Sequence, residues 1–139
     1  MMVYMGAIAR EGVPVIPTLL SKVVTPGGIL QGTGLSEDGS RILSANTAEK
    51  LSELMHNDVV QTYGKGNFPG LDLCAKSGTA EVGGGNTPNA WFAGFLRNEE
   101  YPLAFVVVVE NGGSGSKVAG PVANTALQAA VKSMDKNEK

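Results

Sequence analysis

The chain has 139 residues, 11 basic against 13 acidic, and a net charge of −2, which suits one domain able to bury roughly 70% of its unfolded surface. The charges are scattered apart from the terminal "MDKNEK". No basic stripe matches a phosphate backbone, so nucleic acid is excluded as a partner.

In chain order, residues 1–10 read as a short helix, with Met1, Met5, Ile8 and Ala9 at helical spacing and Gly12 and Pro14 closing it. No cap residue precedes Met1, so the natural sequence is expected to continue upstream. "TLLSKVV" (18–24) has strand composition and runs into the turn "TPGG" (25–28). "QGTGLSEDGS" (31–40) reads as loop and "RILS" (41–44) as a short extended piece. A helix is expected over 46–60. Asn46 can cap it, Glu49 completes a capping box, and Ala48, Leu51, Leu54, Met55 and Val59 form one apolar face. His56 falls on the polar side and reads as solvated. "YGKGNFPG" (63–70) is a loop with strong breakers.

The second half reads as a meander. Residues 71–82, 89–97 and 102–110 are expected as adjacent antiparallel strands, joined by the "GGG" loop (83–85) and the turn "NEEY". After the loop "NGGSGSKVAG", Pro121 suits a first helical position. Val122, Ala126, Leu127, Ala130, Val131 and Met134 then line one face of a closing helix. The fold class is α+β, an antiparallel sheet with helices packed on it. No composition shift marks a domain boundary. The longest apolar run, "LAFVVVV" (103–109), is too short to cross a bilayer, and the first residues lack the basic region of a signal peptide. The chain itself therefore reads as soluble.

The chemistry concentrates in "CAKSGTAE" (74–81), where a lysine and a serine adjoin a glycine. Strand alternation puts Leu73, Ala75, Ser77 and Thr79 on one face and Cys74, Lys76 and Gly78 on the other. Taken alone, the triplet fits an edge strand whose lysine discourages pairing and whose glycine marks a bulge. Trp91 reads as a wall of a cleft or as a core residue, the commoner fate of a strand tryptophan. Cys74, the single cysteine, excludes an intrachain disulfide, and with one histidine no ordinary zinc set remains. A Cys74–His56 hydrolase pair has no supporting context, and buried strand thiols are usually inert.

"LCAKSGTAEVGGGNTPNAWFAGF" resembles the third and fourth sheet strands of the penicillin-binding transpeptidases, a Lys-Thr/Ser-Gly-Thr strand followed by Trp-Phe-x-Gly-Phe. "MGAIAREGVPVIPTLLSKV" is similar to a helix and strand of that family, and "PLAFVVVVENGG…AGPVANTALQAAV" to its last strand and closing helix. The resemblance covers nearly the whole chain, in order. It implies that 1–139 is a single partial domain, the C-terminal half of a transpeptidase domain with a β-lactamase-like fold. Of the family's three motifs, Ser-x-x-Lys, Ser-x-Asn and Lys-Thr/Ser-Gly, only the third is in place. "SGSK" (114–117), "SMDK" (133–136) and "SAN" (44–46) match as strings but fall in the wrong order. "SAN" is better explained by helix capping.

By the same resemblance, Ser77 is not the nucleophile. Its hydroxyl and that of Thr79 would bind the carboxylate of a peptidoglycan stem peptide or a β-lactam. The Thr79 N–H would supply half of an oxyanion hole, and Gly78 would let the substrate backbone lie close. Lys76 would contribute charge for anion binding and proton movement. No metal or organic cofactor is implied. Implied partners are the ligand and the missing N-terminal half, and exposed apolar helix faces suggest self-association. The implied location of the full-length parent is the outer face of a bacterial cytoplasmic membrane, on an N-terminal anchor. The chain alone, without a nucleophile, is expected to be inactive. A rival reading is a non-catalytic module that binds peptide or a partner protein through its sheet edge. A second, phosphate binding by "NGGSGSKV", fails P-loop spacing at Ser116.

Overall fold

The computed structural model of the protein describes residues 1–137. It runs α1 (Met2–Ala9), β1 (Val15–Ile16), β2 (Lys22–Val24), β3 (Leu30–Thr33), β4 (Glu37–Asp38), α2 (Ala45–Asn57), β5 (Leu73–Ala80), β6 (Asn89–Leu96), β7 (Ala104–Val109) and α3 (Gly120–Asn137). The main sheet has the order β5-β6-β7, antiparallel throughout, as the turn chemistry predicts. Its register pairs Leu73 with Leu96, Ser77 with Phe92 and Gly78 with Trp91, while Phe92 pairs with Val107.

Alternation assigns the two faces as expected. Leu73, Ala75, Ala90, Phe92 and Leu96 share one core with Ala119, Ala123 and Leu127 of the closing helix region. Cys74 and Phe95 form a second core on the opposite face with Ile8 of α1 and Met55 of α2. β6 is therefore buried on both sides, which explains its apolar run without alternation. Phe92 anchors the first core. Phe68 stacks on it at 5.6 Å and Tyr63 meets it edge-on at 5.3 Å.

Several local expectations give way. Ser44, not Asn46, caps α2: its hydroxyl accepts from Thr47 N–H at 3.1 Å, and Asn46 lies inside the first turn. Leu54, expected on the apolar face, is 64% exposed. The strand expected over 18–24 is confined to Lys22–Val24, because the Thr18 hydroxyl accepts from Leu20 N–H and bends the chain first. The expected loop 31–40 contains β3 and β4, which pair antiparallel with β2 and β1. Residues 41–44 form no strand; there Ile42 N–H bonds to the Gly12 carbonyl.

Breakers in 63–70 do not make an open loop. α2 continues into a wide π-type turn, Asp58–Gly64, and a 3-10 turn, Lys65–Asn67, because Val59 and Phe68 are buried in the first core. A similar turn, Gly115–Ala119, leads into α3. On α3, Ala123 and Leu127 face the core, while Val122 is 48% exposed and Ala126 is exposed. The expected face is thus rotated by about one position.

Candidate functional site

β5 is an edge strand, and its main chain divides by residue parity. In an antiparallel strand the N–H and C=O of one residue point the same way, and successive residues alternate. The Asp72 carbonyl turns toward β6 and accepts from Arg97 N–H at 2.8 Å. Odd-numbered residues turn to the open edge. His56 Nδ1 lies 3.2 Å from the Leu73 carbonyl, and since a carbonyl only accepts, Nδ1 carries the proton. At Ser77, the N–H donates to the Tyr63 hydroxyl at 2.9 Å and the carbonyl accepts from Lys76 Nζ at 3.1 Å. Thr79, exposed at the far end, turns its N–H outward by the same parity.

The structure thus brings Lys76, Ser77 and Thr79 to one stretch of open edge. Lys76 is exposed, and its ammonium curls back over Ser77. Gly78 faces away from the edge. A Cβ there would lie 3.3 Å from Trp91 Cβ, so its bareness accommodates a cross-strand tryptophan. Trp91 is half-buried on the Lys76 face, and its enclosed Nε1 has no hydrogen-bond partner. It is neither fully core nor open wall.

Two residues at this edge escape the sequence reading. Tyr63 sits among breakers with no periodicity around it, and its bond to Ser77 spans 14 positions. His56 is docked rather than solvated, with Asp72 Oδ1 at 3.4 Å as well as the Leu73 carbonyl. Both ride on α2 and its extension, which crosses the edge from the second core to the first. No local signal announces that crossing.

The other candidates lie apart. Cys74 is fully buried and donates to the Ser52 carbonyl at 3.2 Å. Burial pushes its thiol above the ordinary value, which keeps it protonated. Ser114 precedes the Gly115–Ala119 turn and makes no side-chain cap bond. Gly115 lies flat on the sheet, where a Cβ would fall 2.5 Å from the Gly78 carbonyl oxygen. That close contact leaves no phosphate cradle in the glycine segment. Ser133 is on the exposed side of α3. Among the described residues, no three His, Cys, Asp or Glu side chains converge on a metal position. A groove of about 630 Å³ between α1 and the β6–β7 turn, lined by Met2, Ile16 and Leu103, lies at the opposite end of the sheet from Thr79.

The family model "Penicillin binding protein transpeptidase domain" matches residues 1–128. A peptidoglycan D,D-transpeptidase PbpA of Mycobacterium tuberculosis is 30% identical over 134 residues, covering 91% of this chain and 27% of the relative. Its counterpart in Mycolicibacterium smegmatis is 31% identical over 135 residues, covering 91% and 28%. The chain therefore spans about a quarter of the length of these curated relatives. Among solved structures, penicillin-binding protein A of M. tuberculosis as a ceftriaxone acyl-enzyme complex superposes with a TM-score of 0.81 at 30% identity, covering 93% of this chain and 31% of that one. The D,D-transpeptidase domain of a peptidoglycan glycosyltransferase from Eggerthella lenta gives a TM-score of 0.76 at 27% identity, covering 92% and 31%.

Proposed function

Because the chain belongs to the penicillin-binding protein transpeptidase domain family, we propose that it carries the substrate-binding strand of a peptidoglycan D,D-transpeptidase, as part of one domain completed by residues beyond these 139. The single observation that carries this reading is the open edge of β5. There Thr79 turns an exposed main chain outward, next to the Ser77 hydroxyl and the Lys76 ammonium. That arrangement suits an extended anionic peptide laid along the strand. The terminal carboxylate of a D-Ala-D-Ala stem peptide, or the equivalent group of a β-lactam, takes hydrogen bonds from the Ser77 and Thr79 hydroxyls. The Thr79 N–H meets the oxygen of the attacked carbonyl, where negative charge develops.

The nucleophile is assigned outside this chain, since no Ser-x-x-Lys precedes the Lys76-Ser77-Gly78 strand. In the reaction, that serine attacks the D-Ala-D-Ala carbonyl, and its proton passes to a base. The peptide C–N bond breaks and D-alanine leaves with a proton on its amine. An amine of a second stem peptide then displaces the serine to form the cross-link. Lys76 contributes positive charge for the anionic ligand and for proton movement. The complete protein is assigned to the outer face of the cytoplasmic membrane, where peptidoglycan is assembled, held by an anchor outside this sequence. Among the described residues no helix is long and apolar enough to cross a membrane.

The test joins this chain to the nucleophile-bearing half of the M. tuberculosis relative and follows acylation by fluorescent penicillin. Lys76→Ala should slow acylation strongly, by about 2–4 kcal/mol in the barrier, as for other groups that stabilise developing charge. Ser77→Thr, which keeps the hydroxyl, should be nearly silent. Ser77→Ala should chiefly weaken recognition of the carboxylate. Equal, mild effects of all three would make the strand a scaffold and the edge a docking surface for something else.

A further inference from the structure

The Tyr63 hydroxyl is the hub of the edge. It accepts from Ser77 N–H at 2.9 Å and, at a longer 3.5 Å, from Lys76 Nζ. A phenol oxygen has two acceptor sites and one proton. With both acceptor sites engaged, only the proton remains, and Ser77 Oγ lies 3.1 Å away to receive it. The ring is held in place by its edge-on contact with Phe92, a fully buried side chain.

Two consequences follow for whatever binds here. The Ser77 hydroxyl already accepts from Tyr63, so its own proton points elsewhere and is available to an acceptor on a ligand. The Ser77 N–H, occupied by Tyr63, is withdrawn from strand pairing. Along β5 the Leu73 carbonyl is taken by His56, and Ala75 is fully buried. Thr79 alone keeps an exposed, outward-turned main chain.

Building on the reading of the edge as a carboxylate-binding strand, we propose that Tyr63 is a positioning and specificity-determining residue. It orients the Ser77 hydroxyl as a donor and masks the Ser77 amide. The edge then selects a ligand with an anionic acceptor beside Ser77 and a carbonyl beside Thr79, and it rejects general strand addition. A carboxylate fits this arrangement. A neutral carboxamide presents an NH₂ on one side and forfeits the charge-assisted bond.

The test uses the 139-residue chain and ¹⁵N-resolved NMR. N-acetyl-D-alanyl-D-alanine and its C-terminal amide are titrated separately against wild type, Tyr63→Phe and Ser77→Ala. Tyr63→Phe keeps the ring packed on Phe92, so unchanged shifts for Phe92 and its neighbours certify the fold. Wild type should bind the acid more tightly than the amide, and Ser77→Ala should reduce that preference at least as far as Tyr63→Phe does, with Lys76 and Thr79 retaining the remainder. In Tyr63→Phe the preference should fall by about five- to tenfold, part of the value of a charge-assisted hydrogen bond whose Ser77 donor is still present but no longer oriented. The Ser77 amide should also exchange with solvent at least about tenfold faster, with the Thr79 amide unchanged, because only the former loses a partner. If wild type shows no preference for the acid, the carboxylate-binding reading fails and this inference falls with it. If wild type prefers the acid and Tyr63→Phe prefers it equally, only the role of Tyr63 is overturned. Unchanged exchange at Ser77 would likewise remove the mask.

Discussion

Cys74 shows how one residue's chemistry is decided by its surroundings. Its thiol is fully buried between β5 and α2 and donates to the Ser52 carbonyl. Burial is the main cause that lifts its pKa above 9.0; the Ser52 hydroxyl, 3.5 Å from the sulfur, opposes the lift more weakly. Thiol chemistry requires the thiolate. In the folded protein Cys74 should therefore react with a disulfide reagent such as DTNB at least about 100-fold more slowly than in urea, reaction proceeding only through opening. The sign of the pH dependence follows from the raised pKa. The folded state holds the proton more tightly than the unfolded chain. The contribution to stability is complete below pH 9.0 and is lost as pH rises beyond it. Urea melts of wild type and Cys74→Ala should thus converge above that pH; a gap that widens would contradict the burial argument. The inert thiol is legible in the sequence, from a lone cysteine on a strand. The polar neighbour that fixes it is not, since Ser52 lies 22 positions away.

At the scale of elements, the start of α2 and the entry to α3 separate pattern from geometry. Ser44 and Asn46 both belong to the residue types that cap helices, and Glu49 makes the later position the more attractive one on paper. The structure uses Ser44, with its hydroxyl 3.1 Å from Thr47 N–H. Ser44→Ala should therefore lower stability by about 1 kcal/mol, and Asn46→Ala should be close to neutral, in urea denaturation. The reverse order would return the cap to Asn46. At the other end of the chain, the Gly115–Ala119 turn presses on the backbone of the β5–β6 hairpin. A Cβ on Gly115 would lie 2.9 Å from Gly78 N and 2.5 Å from its carbonyl oxygen. Neither strand can retreat without breaking its pairing. Gly115→Ala should destabilise the fold by about 1–3 kcal/mol, the usual cost of overpacking. It should also shift the NMR resonances of Gly78 and Thr79, because the turn and the candidate site share that wall.

At the scale of the whole molecule, the two cores do not cover every apolar group. On the Lys76 face, α1 and α2 cover the end near Cys74 and Phe95, and Val108 beyond them is 41% exposed. Met2, Tyr4 and Leu54 are exposed on the helices themselves. Such surface seldom stays bare in water. Light scattering should show concentration-dependent self-association, and a strict monomer at high concentration would argue against it. Chemistry at this scale gives a second expectation. The serines of "SGSK" and "SMDK" follow the Lys76 strand in sequence, and the Ser77 hydroxyl is tied to Tyr63. The 139-residue chain should consequently form no covalent adduct with penicillin, by intact mass. An adduct that disappears with Ser114→Ala would promote "SGSK" from coincidence to nucleophile.

The amino-acid sequence by itself determined the order and antiparallel pairing of the three main strands, their two faces and the closing helix. These depend on local quantities: a period of two from Leu73 to Thr79, β-branched residues at 106–109, and glycines where the chain reverses. It also determined that Lys76, Ser77 and Thr79 share one strand. The tertiary structure decided how the edge of that strand is dressed. β3 and β4 escape the pattern because they are short and largely exposed, β3 with a glycine inside it and β4 two acidic residues, and they are held by pairing rather than burial. Tyr63 and His56 escape it because their partners on β5 lie 14 and 17 positions away. Which side chain reaches Ser77 depends on how far α2 and its extension travel before Val59 and Phe68 are buried. Periodicity encodes which face an element buries; it carries no information about the angle at which a helix crosses a strand it does not adjoin in sequence.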